Sequence, residues 1–126
     1  MQALPGPALA TSLALAWPVA GAASGVEGTW CSGGEMMHID AYGIGFNDHT
    51  VCEVENLPVA LDGTGRWTSP VACRNIYATG YDDSGNVLIH EQPIDGLTQI
   101  TLRAVENTLI LSTNDREDEL SYELCT

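Results

Sequence analysis

The sequence predicts an all-β fold, a small disulfide-tied up-and-down barrel of about eight antiparallel strands, with a β-sandwich as the alternative arrangement. Three observations carry this. Helical periodicity is nearly absent after residue 25. Short segments instead alternate apolar and polar residues at period two, as half-buried strands do. Turn-forming clusters punctuate the chain at regular intervals, and four cysteines are spread among them.

The chain opens on an apolar stretch. Gln2 to Gly25 carries no Asp, Glu, Lys, Arg or His, and the run closes on Ala20-Gly21-Ala22, whose small side chains suit signal-peptidase cleavage. Only the amino terminus supplies positive charge ahead of the apolar core. A membrane-spanning helix needs roughly 20 apolar residues, and Pro5, Pro7, Pro18 and Gly21 interrupt this run. Residues 1–22 are therefore expected to be a signal peptide and 23–126 a single domain, exported to the periplasm or secreted, with no membrane span. All four cysteines lie in the exported part, which reads as two disulfides formed in an oxidising compartment.

Within the domain, Gly28-Thr29-Trp30 opens the first strand and Ser32-Gly33-Gly34 ends it. The second strand holds Gly43 and Gly45, where a bulge is expected, and Asn47-Asp48 follows as a turn. Thr50 to Glu55 forms the next strand. Asp62-Gly63-Thr64-Gly65 supplies the positive φ of a tight hairpin. Arg66 to Tyr81 is too long for one ordinary strand, so Pro70 is expected to bend it or mark an edge. Asp82 to Asn86 is another turn, and Val87 to His90 a half-buried strand. Asp95-Gly96, Glu106-Asn107 and Asn114-Asp115 separate the last segments, among them Ile100-Leu102-Ala104 and Leu120-Tyr122-Leu124, which alternate cleanly.

In an up-and-down barrel the first and last strands are neighbours. Cys31 ends the first strand and Cys125 lies in the last, so a 31–125 bridge would tie the closing seam. Cys52 and Cys73 flank the Asp62–Gly65 turn and would face each other across a hairpin. Four cysteines allow three pairings; 31–125 with 52–73 is the one this topology favours.

The domain holds 17 acidic residues against four arginines (Arg66, Arg74, Arg103 and Arg116) and no lysine, for a formal charge of −13. Such a field repels nucleic acid and anionic lipid, favours solubility, and steers a cationic partner. No metal site is expected. His38 with Asp40, Asp48 with His49, and His90 with Glu91 have no ligand-type spacing to join them. Asp82 to Asn86 resembles the start of a calcium loop, but Val87 stands where its glycine belongs. No catalytic residues and no cofactor are expected, since the cysteines are oxidised and the serines show neither a nucleophile elbow nor S-x-x-K spacing.

Gly28-Thr29-Trp30 resembles the Gly-x-Trp opening of lipocalin-like barrels, where the Trp plugs the closed end beneath a ligand cavity. The overall layout resembles small exported proteobacterial barrels that inhibit lysozymes or proteases. The segment nearest to their Ser-Gly-x-Arg-Tyr loop is Gly63-Thr64-Gly65-Arg66-Trp67, which has no Ser and carries Trp in place of Tyr. That resemblance implies an exported binding protein, an inhibitor of a cationic wall-active enzyme such as lysozyme. A carrier of a small apolar ligand with Trp30 at its base, and a structural envelope subunit, are the alternatives. Aromatic and charged residues side by side make up binding hot spots, which selects Asp62, Arg66 and Trp67 in one loop and Tyr81, Asp82 and Asp83 in another as partner contacts.

Overall fold

A computed structural model describes residues 24–126; the expected signal segment 1–22 lies outside the described residues. Its strands are β1 (Ser24–Gly25), β2 (Gly28–Ser32), β3 (Glu35–Asp40), β4 (Gly43–Phe46), β5 (Thr50–Val54), β6 (Ala60–Leu61), β7 (Arg66–Tyr81), β8 (Val87–Pro93), β9 (Gln99–Val105), β10 (Thr108–Thr113) and β11 (Leu120–Leu124). Every pairing is antiparallel. The order β5-β4-β3-β2-β11-β10-β9-β7, closed by β7 on β5, makes an eight-stranded up-and-down barrel, as the sequence predicts. β1 and β6 form a separate short ladder, and β8 pairs with β7 outside the ring.

Both bridges are the expected ones. Cys31–Cys125 spans the seam between β2 and β11, and Cys52–Cys73 joins residues directly opposite each other on β5 and β7. The seam is where covalent help matters most. β11 meets β2 through two register pairs, Glu123↔Cys31 and Leu124↔Trp30, whereas every other junction of the ring has four or more. The Cys125 N–H donates to the Thr29 carbonyl at 3.1 Å, just past the end of that ladder.

Inward residues alternate along the strands and fill the barrel: Met37, Ile39, Ile44, Cys52, Ile100, Leu102, Leu109 and Tyr122 are all buried. Side chains thus occupy the space a lipocalin-type cup would need. Trp30 packs on this core at the end where β1 and β6 lie, its indole N–H donating to the Val26 carbonyl at 2.9 Å. Ser69 is the buried polar exception, and it is satisfied. Its hydroxyl donates to the Pro70 carbonyl at 2.7 Å and accepts from Glu55 N–H at 3.0 Å and Asn56 N–H at 2.9 Å, pinning the long β5–β6 connection to β7.

Two local expectations are corrected. Gly43 and Gly45 mark no bulge, since β4 pairs in unbroken register with both neighbours. They are glycines because the strands approach closely: a Cβ would stand 3.0 Å from the Cys52 carbonyl at Gly43 and 3.2 Å from the Thr50 carbonyl at Gly45. In place of the expected single second strand, β3 and β4 form a hairpin turned at Asp40, whose carboxylate accepts from the N–H groups of Tyr42 and Gly43. In turn, Arg66–Tyr81 is a single strand of 16 residues, and Pro70 sits where β7 ends its pairing with β9 and begins its pairing with β5.

Candidate functional site

The excess length of β7 creates the most distinctive surface of the molecule. Up to Asn75 it is a barrel stave, with Trp67, Ser69, Val71 and Cys73 turned inward. Its last hydrogen bond on the β5 side runs from Ile76 N–H to the His49 carbonyl, 2.7 Å. Beyond this point β7 continues with β8 alone, and the two strands leave the barrel as a β-arm. β8 and β9 both lie along the same edge of β7, so the arm is the outer half of one long hairpin whose inner half belongs to the barrel.

The arm tip is a well-formed turn. Asp82 exchanges backbone bonds with Asn86 and Gly85, and its carboxylate accepts from the N–H groups of Ser84 and Asn86, both at 2.9 Å. Gly85 takes the left-handed conformation the turn requires, φ 85°. These donors, Asn86 N–H foremost, hold the Asp82 carboxyl below its ordinary 3.8. At the arm base, Arg74 bridges Glu53 of β5 (3.1 Å) and Glu91 of β8 (2.7 Å) on the outer face. On the other face the His49 ring packs on Tyr77, centroids 4.9 Å apart, and Tyr77 stands opposite His90.

The arm is rich in apolar residues and largely exposed. Every residue of β8 is exposed, Val87, Leu88 and Ile89 included, with Ile89 at 60% and Tyr81 at 73% of full exposure. Register and a bulge between Ala78 and Gly80 put Tyr81, Val87 and Ile89 on one face and Tyr77, Leu88 and His90 on the other. Among the described residues the outer edge of β8 pairs with nothing. Soluble β-proteins usually blunt such an edge with charge, proline or a cover; here Pro93 does so only at the base.

The surroundings are acidic. Glu35, Asp48, Asp95, Asp115, Glu117 and Asp118 are exposed at the barrel end from which the arm departs. Among the described residues, three acids have ion-pair partners: Glu53 and Glu91 on Arg74, and Glu119 on Arg103. Glu119 also accepts from the Ser112 hydroxyl, the largest of the effects that lower its carboxyl below the usual range, ahead of the Arg103 hydrogen bond.

The two candidate loops lie at the two ends of β7. Tyr81, Asp82 and Asp83 form the arm tip and are exposed. Asp62 and Arg66 lie at the far end, where the Asp62 carboxylate shapes its turn by accepting from the Thr64 hydroxyl (2.6 Å), Thr64 N–H (2.8 Å) and Arg66 N–H (3.2 Å). Trp67 is corrected to a core residue: it is 7% exposed, and its indole N–H donates to the Asn56 carbonyl at 3.0 Å. Its place on β7 alternates inward with Ser69, so it offers no face to a partner. Sequence reading missed Tyr77 and the Val87–Ile89 run as surface residues. Their composition is that of any half-buried strand, and the one available signal was the length of the 66–81 segment.

Among the described residues no group of three or more His, Cys, Asp and Glu is placed to hold a metal ion. His38 lies apart from the arm, its Nδ1 3.2 Å from the Thr29 hydroxyl. No helix of the described residues is long and apolar enough to cross a membrane. No family model, curated protein or solved structure matches the chain. Its fold rests on its own geometry: a closed antiparallel barrel with one extra strand and two disulfides of the kind formed in an oxidising environment.

Proposed function

We propose that this is an exported binding protein that captures a cationic protein with its β-arm, a basic wall-active enzyme such as lysozyme being the partner class and inhibition the consequence. The carrying observation is the arm: an exposed, apolar, two-stranded projection with a free edge. An exposed edge donates and accepts main-chain hydrogen bonds along an added strand, while alternate side chains give selectivity. Tyr81, Val87 and Ile89 supply the apolar, aromatic-rich centre such contacts use. The charge of −13 speeds encounter with a basic partner and opposes pairing between two copies of the chain.

The disulfides suit the proposed periplasmic or secreted location. The function is binding rather than chemistry: the barrel interior is filled, and the distinctive residues face outward. Titration with a basic lysozyme at low and high ionic strength tests the reading. Saturable binding that weakens as salt rises, and that is lost in the V87S/I89S double variant, is the expected outcome. Absence of binding at low salt removes this partner class.

A further inference from the structure

Two hydrogen bonds fix how β8 presents its backbone. At the arm tip the Asn86 carbonyl accepts from Asp82 N–H at 2.9 Å, and at the base Ile94 N–H donates to the Cys73 carbonyl at 2.9 Å. Both bonds point toward β7. Between them β8 pairs residue by residue, because the extra residue of the register shift, between Ala78 and Gly80, belongs to β7. Alternation then turns the N–H and C=O groups of Leu88, His90 and Gln92 toward β7, and those of Val87, Ile89 and Glu91 outward along the free edge. Ile76 agrees from the other strand: it stands opposite Glu91, and its N–H goes to His49 on the far side of β7.

We infer that this edge takes up one extended segment of the cationic partner as an added antiparallel strand, basic at both ends and apolar at alternate positions between. The inference rests on the reading of the arm as the binding element, and it names the segment the arm receives. Opposed residues of such a pair exchange both main-chain bonds, so partner residues i, i+2 and i+4 face Glu91, Ile89 and Val87. Their side chains fall on the face that carries Tyr81, Val87 and Ile89, which selects apolar residues at i+2 and i+4. A basic residue at i faces Glu91, where Glu53 and Glu91 share the one guanidinium of Arg74. A second basic residue at i+6 comes level with the tip turn, where Asp83 is exposed.

Edge chemistry and charge favour this occupant. Val87–Ile89 is an exposed apolar run with neither charge nor proline, the usual guards of an edge. Pro93 has no N–H to offer and ends the usable edge, which is Val87–Glu91. Pairing with a second copy would bring together two molecules of charge −13, whereas a basic strand is attracted to the same edge.

The probe is the peptide acetyl-Lys-Thr-Val-Thr-Val-Thr-Lys-amide, titrated into the protein by NMR at low ionic strength. Two forms with equal numbers of added methyl groups accompany it. One is N-methylated at both valines, whose amides face β8; the other at the two threonines flanking the first valine, whose amides face away. The expected result is saturable shifts of the Val87, Ile89 and Glu91 amide signals. Affinity falls about tenfold for the valine-methylated form and stays within about twofold for the threonine-methylated form. I89P, which removes one outward N–H and leaves the donors to β7 in place, is expected to weaken the parent peptide about fivefold. Equal losses for the two methylated forms overturn the inference. So does concentration-dependent dimerisation in sedimentation that I89P abolishes, which would give the edge to a second copy. If V87S/I89S abolishes lysozyme binding while the peptide moves no β8 signal, the added strand fails and the arm reading stands. Peptide binding with the expected methylation pattern, without lysozyme binding, supports the added strand and removes lysozyme as its source.

Discussion

Removing the seam bridge by C31A/C125A puts the closure of the barrel to a quantitative test. The cysteines are 94 residues apart, for which the chain-entropy estimate is about 4.7 kcal/mol. The Cys52–Cys73 bridge already encloses a 21-residue span, which trims that figure by only about 0.2 kcal/mol. Against a usual total of about 5–15 kcal/mol, this is a third or more of the stability. C52A/C73A is expected to lose about 3.3 kcal/mol from chain entropy, plus about 1–2 kcal/mol because both sulfurs leave buried space. The two variants are thus close in total loss, and what separates them is where the barrel opens. In C31A/C125A, amide exchange rises first in β2 and β11, whose ladder has only two register pairs. In C52A/C73A it rises between β5 and β7. Urea unfolding followed by tryptophan fluorescence gives the totals, and hydrogen exchange gives the location. An unchanged urea midpoint in C31A/C125A, or uniform loss of protection around the ring, would refute the account of the seam.

Other consequences follow from single residues. G43A places a Cβ 3.0 Å from the Cys52 carbonyl, inside a paired ladder that cannot shift freely, so a loss of about 1–3 kcal/mol in thermal or urea unfolding is expected. V87S/I89S changes only exposed side chains and is expected to alter stability by less than about 0.5 kcal/mol; a larger loss would mean that the arm is held against the barrel. The Asp62 carboxyl is held below 3.8 by its turn donors, the Thr64 hydroxyl first, so the turn is intact above that value and loosens as pH falls through the lowered one. Carboxyl NMR with a midpoint at or above 3.8 would contradict this. Tyr122 is raised above 10.0, mainly by burial, so its contribution is full below pH 10 and is lost as pH rises toward the raised value. Y122F is expected to remove that alkaline loss, as measured by urea midpoints between pH 9 and 11.

Much of the barrel is legible in the sequence because its determinants are local. Asp62 and Asp82 sit in turns that their own side chains cap, and the alternation in β9 and β11 turns Ile100, Leu102 and Tyr122 inward, while Ala104 and Leu124 at the strand ends are exposed. The disulfide pairing is also legible, because closure makes the first and last strands neighbours. What stays hidden depends on which strand lies alongside. Val87–Ile89 has the composition of a buried stave, yet it is exposed because β5 ends its pairing with β7 at Asn75. Trp67 looks like a surface anchor beside Arg66, but alternation along β7 turns it inward. The Gly43 and Gly45 pattern fits a bulge and a close strand approach equally well, and only the distances to the Cys52 and Thr50 carbonyls separate them.

The arm is the centre of the functional account, and one comparison addresses it directly. Binding of a basic lysozyme to the parent protein and to V87S/I89S is measured side by side by calorimetry, at low ionic strength and again near 0.15 M, where the screening length is about 8 Å. The account predicts saturable binding by the parent that weakens with salt, and a loss of about tenfold or more in the arm variant. Equal affinity of the two proteins at both salt concentrations would contradict it.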